Sequence, residues 1–253
     1  MPFLTLVYHE IRETKDLTDP RPSPIHVAQD YNDLLPPTLF VTLESFVEQM
    51  AWLDQAQYHT LTLTEARNHL LHGTAIPEKS VLLTFDDCYQ SMMTYACPIL
   101  RSHNFKAAAF VVGGWLNEAR SPFSAKESIC LSETDLLEIM DIFEYANHSY
   151  HLHTRRRPKE CALLTSDEQT VSEDLQLCSQ IPLLTHGDIF AYPFGQYSDP
   201  VKELLKEQGI RLAFTTVAGY NSLQCDPLLL HRNVVPLGMT LRQFQTMFTE
   251  IIF

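Results

Sequence analysis

Short apolar runs alternate along this chain with stretches whose apolar residues recur at helical spacing, and that alternation most constrains its fold. Residues 3–8, 80–85, 107–112, 143–147, 189–192 and 212–216 read as strands buried on both faces, because they are nearly continuous in apolar character. Helix signals lie between them. Thr42 precedes Phe46, Met50 and Leu53, and Thr64 with Glu65 opens a second helix that Gly73 ends. A helical stretch after Asp87 runs through Ile99 and Leu100, and Ser132 with Asp135 resembles a capping box ahead of Leu136. Residues 167–178 read as a helix, Asp199-Pro200 opens one that Gly209 closes, and Thr240 starts the last. This order predicts an α/β chain with a parallel sheet, a single irregular (β/α) barrel of about seven or eight mainly parallel strands over residues 1–253. Residues 12–38, rich in Pro and Asp, read as a long surface loop of the kind that often carries function.

Composition narrows the partners. Lys and Arg number 18 against 31 Asp and Glu, a net charge of −13, which repels phosphate backbones and argues against nucleic acid. The one dense basic run, Arg155-Arg156-Arg157, is too short to reverse this. No apolar run approaches the roughly 18–20 residues of an integral membrane segment. The six cysteines form no CxxC pair and read as free, mostly buried thiols. The first residues lack a basic leader region, so the sequence read literally stays in the cytoplasm. Nothing in the sequence indicates an oligomeric state.

Chemistry concentrates at two strand ends. The strand at 80–85 runs directly into Asp86-Asp87. One aspartate there is an ordinary helix cap, but two adjacent carboxylates at a buried strand end call for a compensating cation. The strand at 143–147 leads into His148, His151 and His153, three imidazoles within six residues. Two histidines and one aspartate leave a coordination position open, as catalytic zinc sites do. One carboxylate then serves as ligand and its neighbour as base.

Thr84-Phe85-Asp86-Asp87 followed by His148-Ser149 and His153 resembles the first two motifs of the polysaccharide deacetylases, carbohydrate esterase family 4. The likeness is strongest to the poly-N-acetylglucosamine deacetylase branch of biofilm adhesin systems. It extends to Leu6-Val7-Tyr8-His9, Phe110-Val111-Val112-Gly113 and Phe190-Ala191-Tyr192-Pro193-Phe194-Gly195. The resemblance implies a metal-dependent hydrolase that removes N-acetyl groups from N-acetylglucosamine-containing polysaccharide at the cell surface or outside it. It implies one divalent ion, zinc first and cobalt or nickel as alternatives, held by Asp87, His148 and His153, with His151 the rival ligand. Asp86 would be the base acting on a metal-activated water, His9 the general acid on this permuted branch, and the Phe194 backbone N–H an oxyanion donor. Two departures stand out: Cys88 replaces the usual glycine, and Ala191 replaces the third-motif arginine, leaving Arg232 as the candidate to steady Asp86. His231 resembles the last motif of unpermuted relatives and is the alternative acid. Tyr150, Tyr192 and Tyr197, with Trp115, are candidate sugar contacts. Two other readings stay open: a metal-dependent C–N hydrolase for a small-molecule amide, and a catalytically silent carbohydrate-binding relative.

Overall fold

The computed structural model describes residues 1–249, and its centre is a curled sheet of nine strands. In chain order these are β1 (Phe3–Tyr8), β2 (His59–Thr60), β3 (Ser80–Asp86), β4 (Ala107–Val111), β5 (Phe143–Asn147), β6 (His186–Ala191), β7 (Leu212–Phe214), β8 (Tyr220–Asn221) and β9 (Asn233–Val234). They lie in the order β7-β6-β5-β4-β3-β1, with β2 beside the start of β3 and β9 beside β1. All these pairings are parallel except that of β8, which is antiparallel to β1. Leu230 bridges Phe214 in parallel, and Asn233 pairs with Leu6. The segment 230–234 therefore spans the gap between the two ends of the sheet.

Period-two alternation explains why the strands read as unbroken apolar runs. Leu82, Ala108, Phe110, Ala146, Ile189, Ala191, Leu212 and Phe214 share one buried cluster inside the curl. Their neighbours Val81, Leu83, Phe85, Ala109 and Tyr145 belong to the outer cluster that the helices cover. Both faces are buried, so both must be apolar. The inner alanines leave room for Phe110 and Phe214, whose rings sit 5.7 Å apart.

The helices are α1 (Leu43–Gln55), α2 (Leu63–His72), α3 (Cys97–Ser102), α4 (Glu133–Leu137), α5 (Ala162–Thr165), α6 (Glu168–Ser179), α7 (Asp199–Glu207) and α8 (Leu241–Thr246). Helix α2 starts earlier than Thr64. Thr62 caps it, accepting from the Glu65 N–H while the Glu65 carboxylate accepts from the Thr62 N–H. Ser132 and Asp135 make the same reciprocal pair before α4. The stretch between Asp87 and α3 is a π-helical turn, Met92–Ala96.

Of residues 12–38, the stretch 13–22 is largely exposed, but the stretch 23–35 is not open loop. Ser23–His26 pairs with Leu34–Leu35 and with Ser128–Ile129, and Glu10–Arg12 pairs with Phe40–Thr42. Ile25 and Leu35 supply the reason, since both are buried in a cluster with Tyr89 and Trp115. Pro24 is compatible because Ile25 supplies the N–H that bonds the Asp33 carbonyl, and pairing with Ser128–Ile129 begins only at Ile25. Among the described residues no helix is long and apolar enough to cross a membrane.

Candidate metal centre and active site

The pleat of β3 delivers the first carboxylate. Leu82 faces the inside of the curl, so Thr84 and Asp86 do too. Strand geometry would send Asp87 outward. Instead the chain turns through Asp87 (φ 69°) and Cys88 (φ 55°), both left-handed, and Asp87 stays with the interior group. Glycine reaches that conformation without strain, whereas Cys88 carries roughly 1–2 kcal/mol. The Cys88 thiol is buried beside the Phe110 carbonyl, and the Cys130 thiol donates to the Asp87 carbonyl at 3.0 Å.

The two histidines arrive by a similar route. Ala146 faces inward on β5, and His148 follows at the next inward position. Ser149 turns the chain at φ 71°, its N–H held by the Asn147 side chain at 2.7 Å. The carboxylate of Asp174 on α6 then accepts the N–H groups of Tyr150, His151 and Leu152 at 2.8, 2.6 and 3.1 Å. That cap winds residues 150–152 tightly enough to bring His153 back over His148, with the rings 4.5 Å apart. Burial pushes the Asp174 carboxyl up, while those three bonds oppose it.

Asp87, His148 and His153 place their ligand atoms within 4.8 Å of one another. Asp87 Oδ1 lies 3.8 Å from His148 Nε2 and 3.6 Å from His153 Nε2. His148 donates Nδ1 to the Ala191 carbonyl at 2.7 Å, which leaves its Nε2 lone pair facing the carboxylate. Asp87 Oδ1 is buried and receives no hydrogen bond. Burial lowers both imidazoles, so they are neutral, the form that ligates metal. Burial and the charge of Asp86 raise the Asp87 carboxyl well above its ordinary value. Converging acceptors without a donor are costly alone and favourable around a cation, so this donor set fits a divalent metal.

Asp86 sits beside the triad in a different state. Its Oδ1 accepts from Arg232 Nη1 at 2.6 Å, and its Oδ2 is 3.7 Å from His148 Nε2 and 3.8 Å from His9 Nε2. Burial alone would raise its carboxyl, but Arg232, with His148 and His9, outweighs this and holds it at about 2. His9 is pushed down to about 4, first by burial, with Asp86 pulling the other way and Arg232 adding to the fall. At neutral pH His9 is therefore uncharged, and its contact with Asp86 is not an ion pair.

His9, Asp86, Asp87, His148 and His153 line a cavity of about 220 Å³ whose walls include Trp115, Phe194, Arg155 and, from the segment 23–39, Ile25, Asp33, Leu35 and Leu39. A family model for polysaccharide deacetylases matches residues 74–213, more than half of the chain. The chain belongs to the polysaccharide deacetylase family. It is 26% identical over 180 residues to the poly-β-1,6-N-acetyl-D-glucosamine N-deacetylase of Staphylococcus aureus, a stretch covering 69% of this chain and 60% of that one. The corresponding enzyme of Staphylococcus epidermidis is 24% identical over 217 residues, 84% of this chain and 71% of that one. The chain thus spans about three fifths of the length of the Staphylococcus aureus relative it matches. In fold it resembles the Streptococcus pyogenes deacetylase PplD in complex with acetate, with TM-score 0.77, 19% identity and 98% of both chains covered. It also resembles IcaB from Ammonifex degensii, with TM-score 0.72, 23% identity, and 97% of this chain and 96% of that one covered.

Within this polysaccharide deacetylase fold the structure sorts the remaining candidates. Arg232 is fully buried and reaches Asp86 from beside β9, where Ala191 offers no side chain to do so. Phe194 (φ 56°) lines the cavity with its ring 4.4 Å from His153, and its N–H is taken up by no other group among the described residues. His151 is exposed and outside the triad, at a position between Tyr150 and buried Leu152 in the turn that Asp174 caps. Tyr192, expected against the sugar, does not reach the cavity: it follows inward Ala191, so it points out of the curl, with its hydroxyl bonded to the Leu228 carbonyl at 3.0 Å. Tyr197 is exposed beside Tyr192, and Tyr150 packs against the backbone at Gly113, so neither lines the cavity. His231 precedes inward Arg232 and turns away, its Nδ1 3.2 Å from the Val217 carbonyl. Asp174 and the Asp33–Arg155 pair were not among the candidates. A lone aspartate in a helix and an acidic loop residue carry no sequence signal of what they will bond to.

Proposed function

We propose that the chain is a metal-dependent N-deacetylase acting on N-acetylglucosamine-containing polysaccharide of the poly-β-1,6-linked type. The observation that carries this is the pairing of two unlike carboxylates in one cavity: Asp86 kept ionised by Arg232, and Asp87 joined to two neutral imidazoles. Asp87, His148 and His153 would hold the divalent ion, zinc by the chemistry of one carboxylate and two imidazoles. When bound, the ion supplies Lewis acidity to water and to an acyl oxygen.

The chain's own groups supply the rest. Asp86 accepts the proton of the attacking water, and Arg232 keeps its carboxylate oriented for that task. His9 begins neutral, 3.8 Å from Asp86, so it is placed to take that proton and pass it to the departing nitrogen. The unengaged N–H of Phe194 faces no competing acceptor and serves the developing oxyanion, a contribution worth roughly 3 kcal/mol per donor. Trp115 and the apolar wall from the segment 23–39 exclude water and receive the sugar ring and methyl group. A polysaccharide substrate puts this work at the cell surface.

The test is acetate release from β-1,6-linked N-acetylglucosamine oligomers after chelation and re-addition of Zn²⁺, Co²⁺ or Ni²⁺. Acetate should appear only with metal, and Asp86→Asn should lower kcat by 10²-fold or more while metal is still bound. Metal-independent release, or a near-normal Asp86→Asn variant, refutes the mechanism. No release from any oligomer refutes the substrate class.

A further inference from the structure

The two histidines of the triad are held in different ways. His148 donates Nδ1 to the Ala191 carbonyl, the usual means by which a metal-binding imidazole is oriented. His153 Nδ1 is buried and has no partner outside its own residue. Rings hold it instead: Trp115 stands edge-on at 4.6 Å, and Phe194 lies at 4.4 Å. Both rings are contacted in turn by one assembly. Tyr31 stacks on Trp115 at 5.9 Å, and the Arg155 guanidinium lies 4.7 Å over Phe194. Asp33 joins these two, accepting from Arg155 Nε at 2.8 Å and from the Tyr31 hydroxyl at 2.9 Å. The Tyr31 oxygen in turn accepts from the Arg155 backbone N–H at 3.3 Å. The contacts close a ring that leaves His153 through Trp115, Tyr31, Asp33 and Arg155 and returns through Phe194.

We propose that the Asp33–Arg155 ion pair is a positioning element for His153, fixing the orientation of this ligand through the ring and so tying the triad to the segment 23–39. The inference rests on the reading that Asp87, His148 and His153 hold a divalent ion. Both side chains of the pair are about a quarter exposed, so the pair does little for global stability. Its leverage is local. Freeing Arg155 releases the guanidinium over Phe194, and freeing Tyr31 releases the stack on Trp115. An imidazole with no hydrogen bond of its own can then turn its Nε2 away from Asp87. This also gives the first arginine of the basic run a role that the charge balance of the chain does not explain.

The experiment measures Zn²⁺ affinity of the intact chain by competition with a chromophoric chelator, alongside acetate release, for Asp33→Asn, Arg155→Met and the double variant. Each single change should weaken Zn²⁺ binding about tenfold, near the low end for loss of support behind a metal ligand. Each should lower kcat more than it raises KM. The double variant should fall no further than the worse single one, because both break the same link. Tyr31→Phe keeps the stack and removes only the hydroxyl, so it should show a smaller loss in a chain with wild-type packing. Unchanged Zn²⁺ affinity, additive losses, a loss confined to KM, or no Zn²⁺ binding by the wild type would each overturn the proposal. If the wild type binds Zn²⁺ but releases no acetate, the proposed activity fails and the affinities alone decide this inference.

Discussion

Replacing Arg232 with methionine isolates the pair on which the proposed base depends. Arg232 is fully buried and its side chain makes two hydrogen bonds, to Asp86 Oδ1 at 2.6 Å and to the Thr215 carbonyl at 2.9 Å. Its guanidinium also lies 5.2 Å over the Phe110 ring. At this separation and an effective dielectric near 20 the attraction to Asp86 is about 6 kcal/mol, most of it offset by desolvation of the two ions. Removing one partner does not restore that desolvation, so the expected loss is about 3–5 kcal/mol, the range for a broken buried pair. Arg232→Lys keeps the charge but not the planar fork or the Thr215 contact, and should lose about 1–2 kcal/mol. Urea unfolding of the chelator-treated chains at pH 7 measures both. The same methionine variant, saturated with metal, should lose 10²-fold or more in kcat because Asp86 is no longer held ionised and oriented. A methionine variant within 1 kcal/mol of wild type, or within threefold in kcat, refutes the assignment of Arg232 as partner of the base.

Three further outcomes follow from the geometry. His153→Ala should abolish tight Zn²⁺ binding, whereas His151→Ala should leave it within about twofold, because only His153 belongs to the triad; chelator competition reads both. Gly195→Ala should destabilise by about 2–3 kcal/mol in urea and impair turnover, since the new methyl would collide with Thr216 at a position of φ 67° next to Phe194. Asp33 gives a pH dependence of defined sign. Partial burial raises its carboxyl, but hydrogen bonds from Arg155, Leu34 and Tyr31 outweigh this and hold it below the ordinary 3.8. A depressed folded value stabilises fully above the unfolded value and is lost as pH falls through the folded one. The stability difference between wild type and Asp33→Asn, small for a pair this exposed, should therefore be constant above about pH 5 and shrink on acidification below about pH 4. A difference that grows on acidification would contradict it.

Features governed by local rules were legible in the sequence. The Ser132–Asp135 box and the Thr42 and Thr240 caps need only residues three apart. The inward placement of Asp86 and His148 follows from counting along two strands, and the structure brings both to one cavity with His9, while Arg232 backs Asp86 from behind its wall. Tyr192 failed for the same reason that Asp86 succeeded: one step along a pleated strand reverses the face, and the aromatic character of a residue says nothing about that parity. Asp174, Asp33 and Tyr31 were illegible for another reason. Each acts on a partner far away in sequence, Asp174 on residues 150–152 and Asp33 on Arg155. No spacing rule encodes such contacts.

The strained turns of the site follow from a conflict within the sheet itself. A strand lends the interior only every second residue, yet the proposed chemistry needs adjacent Asp86 and Asp87 on one side. The chain must leave β3 in a conformation that cancels the alternation, and left-handed backbone at Asp87 and Cys88 does so. The same device recurs at Ser149, after inward His148, and at Phe194, after outward Tyr192. These are four of the six non-glycine residues with positive φ among the described residues, and all four border the candidate site. Strain of this kind persists only where surrounding contacts over-determine it. Here those contacts are the Cys130 thiol on the Asp87 carbonyl, the Asn147 side chain on Ser149 and the aromatic ring around Phe194. The glycine usual at position 88 would relieve one of these strains. A buried cysteine there means that the turn is held by its surroundings rather than by the freedom of its own backbone.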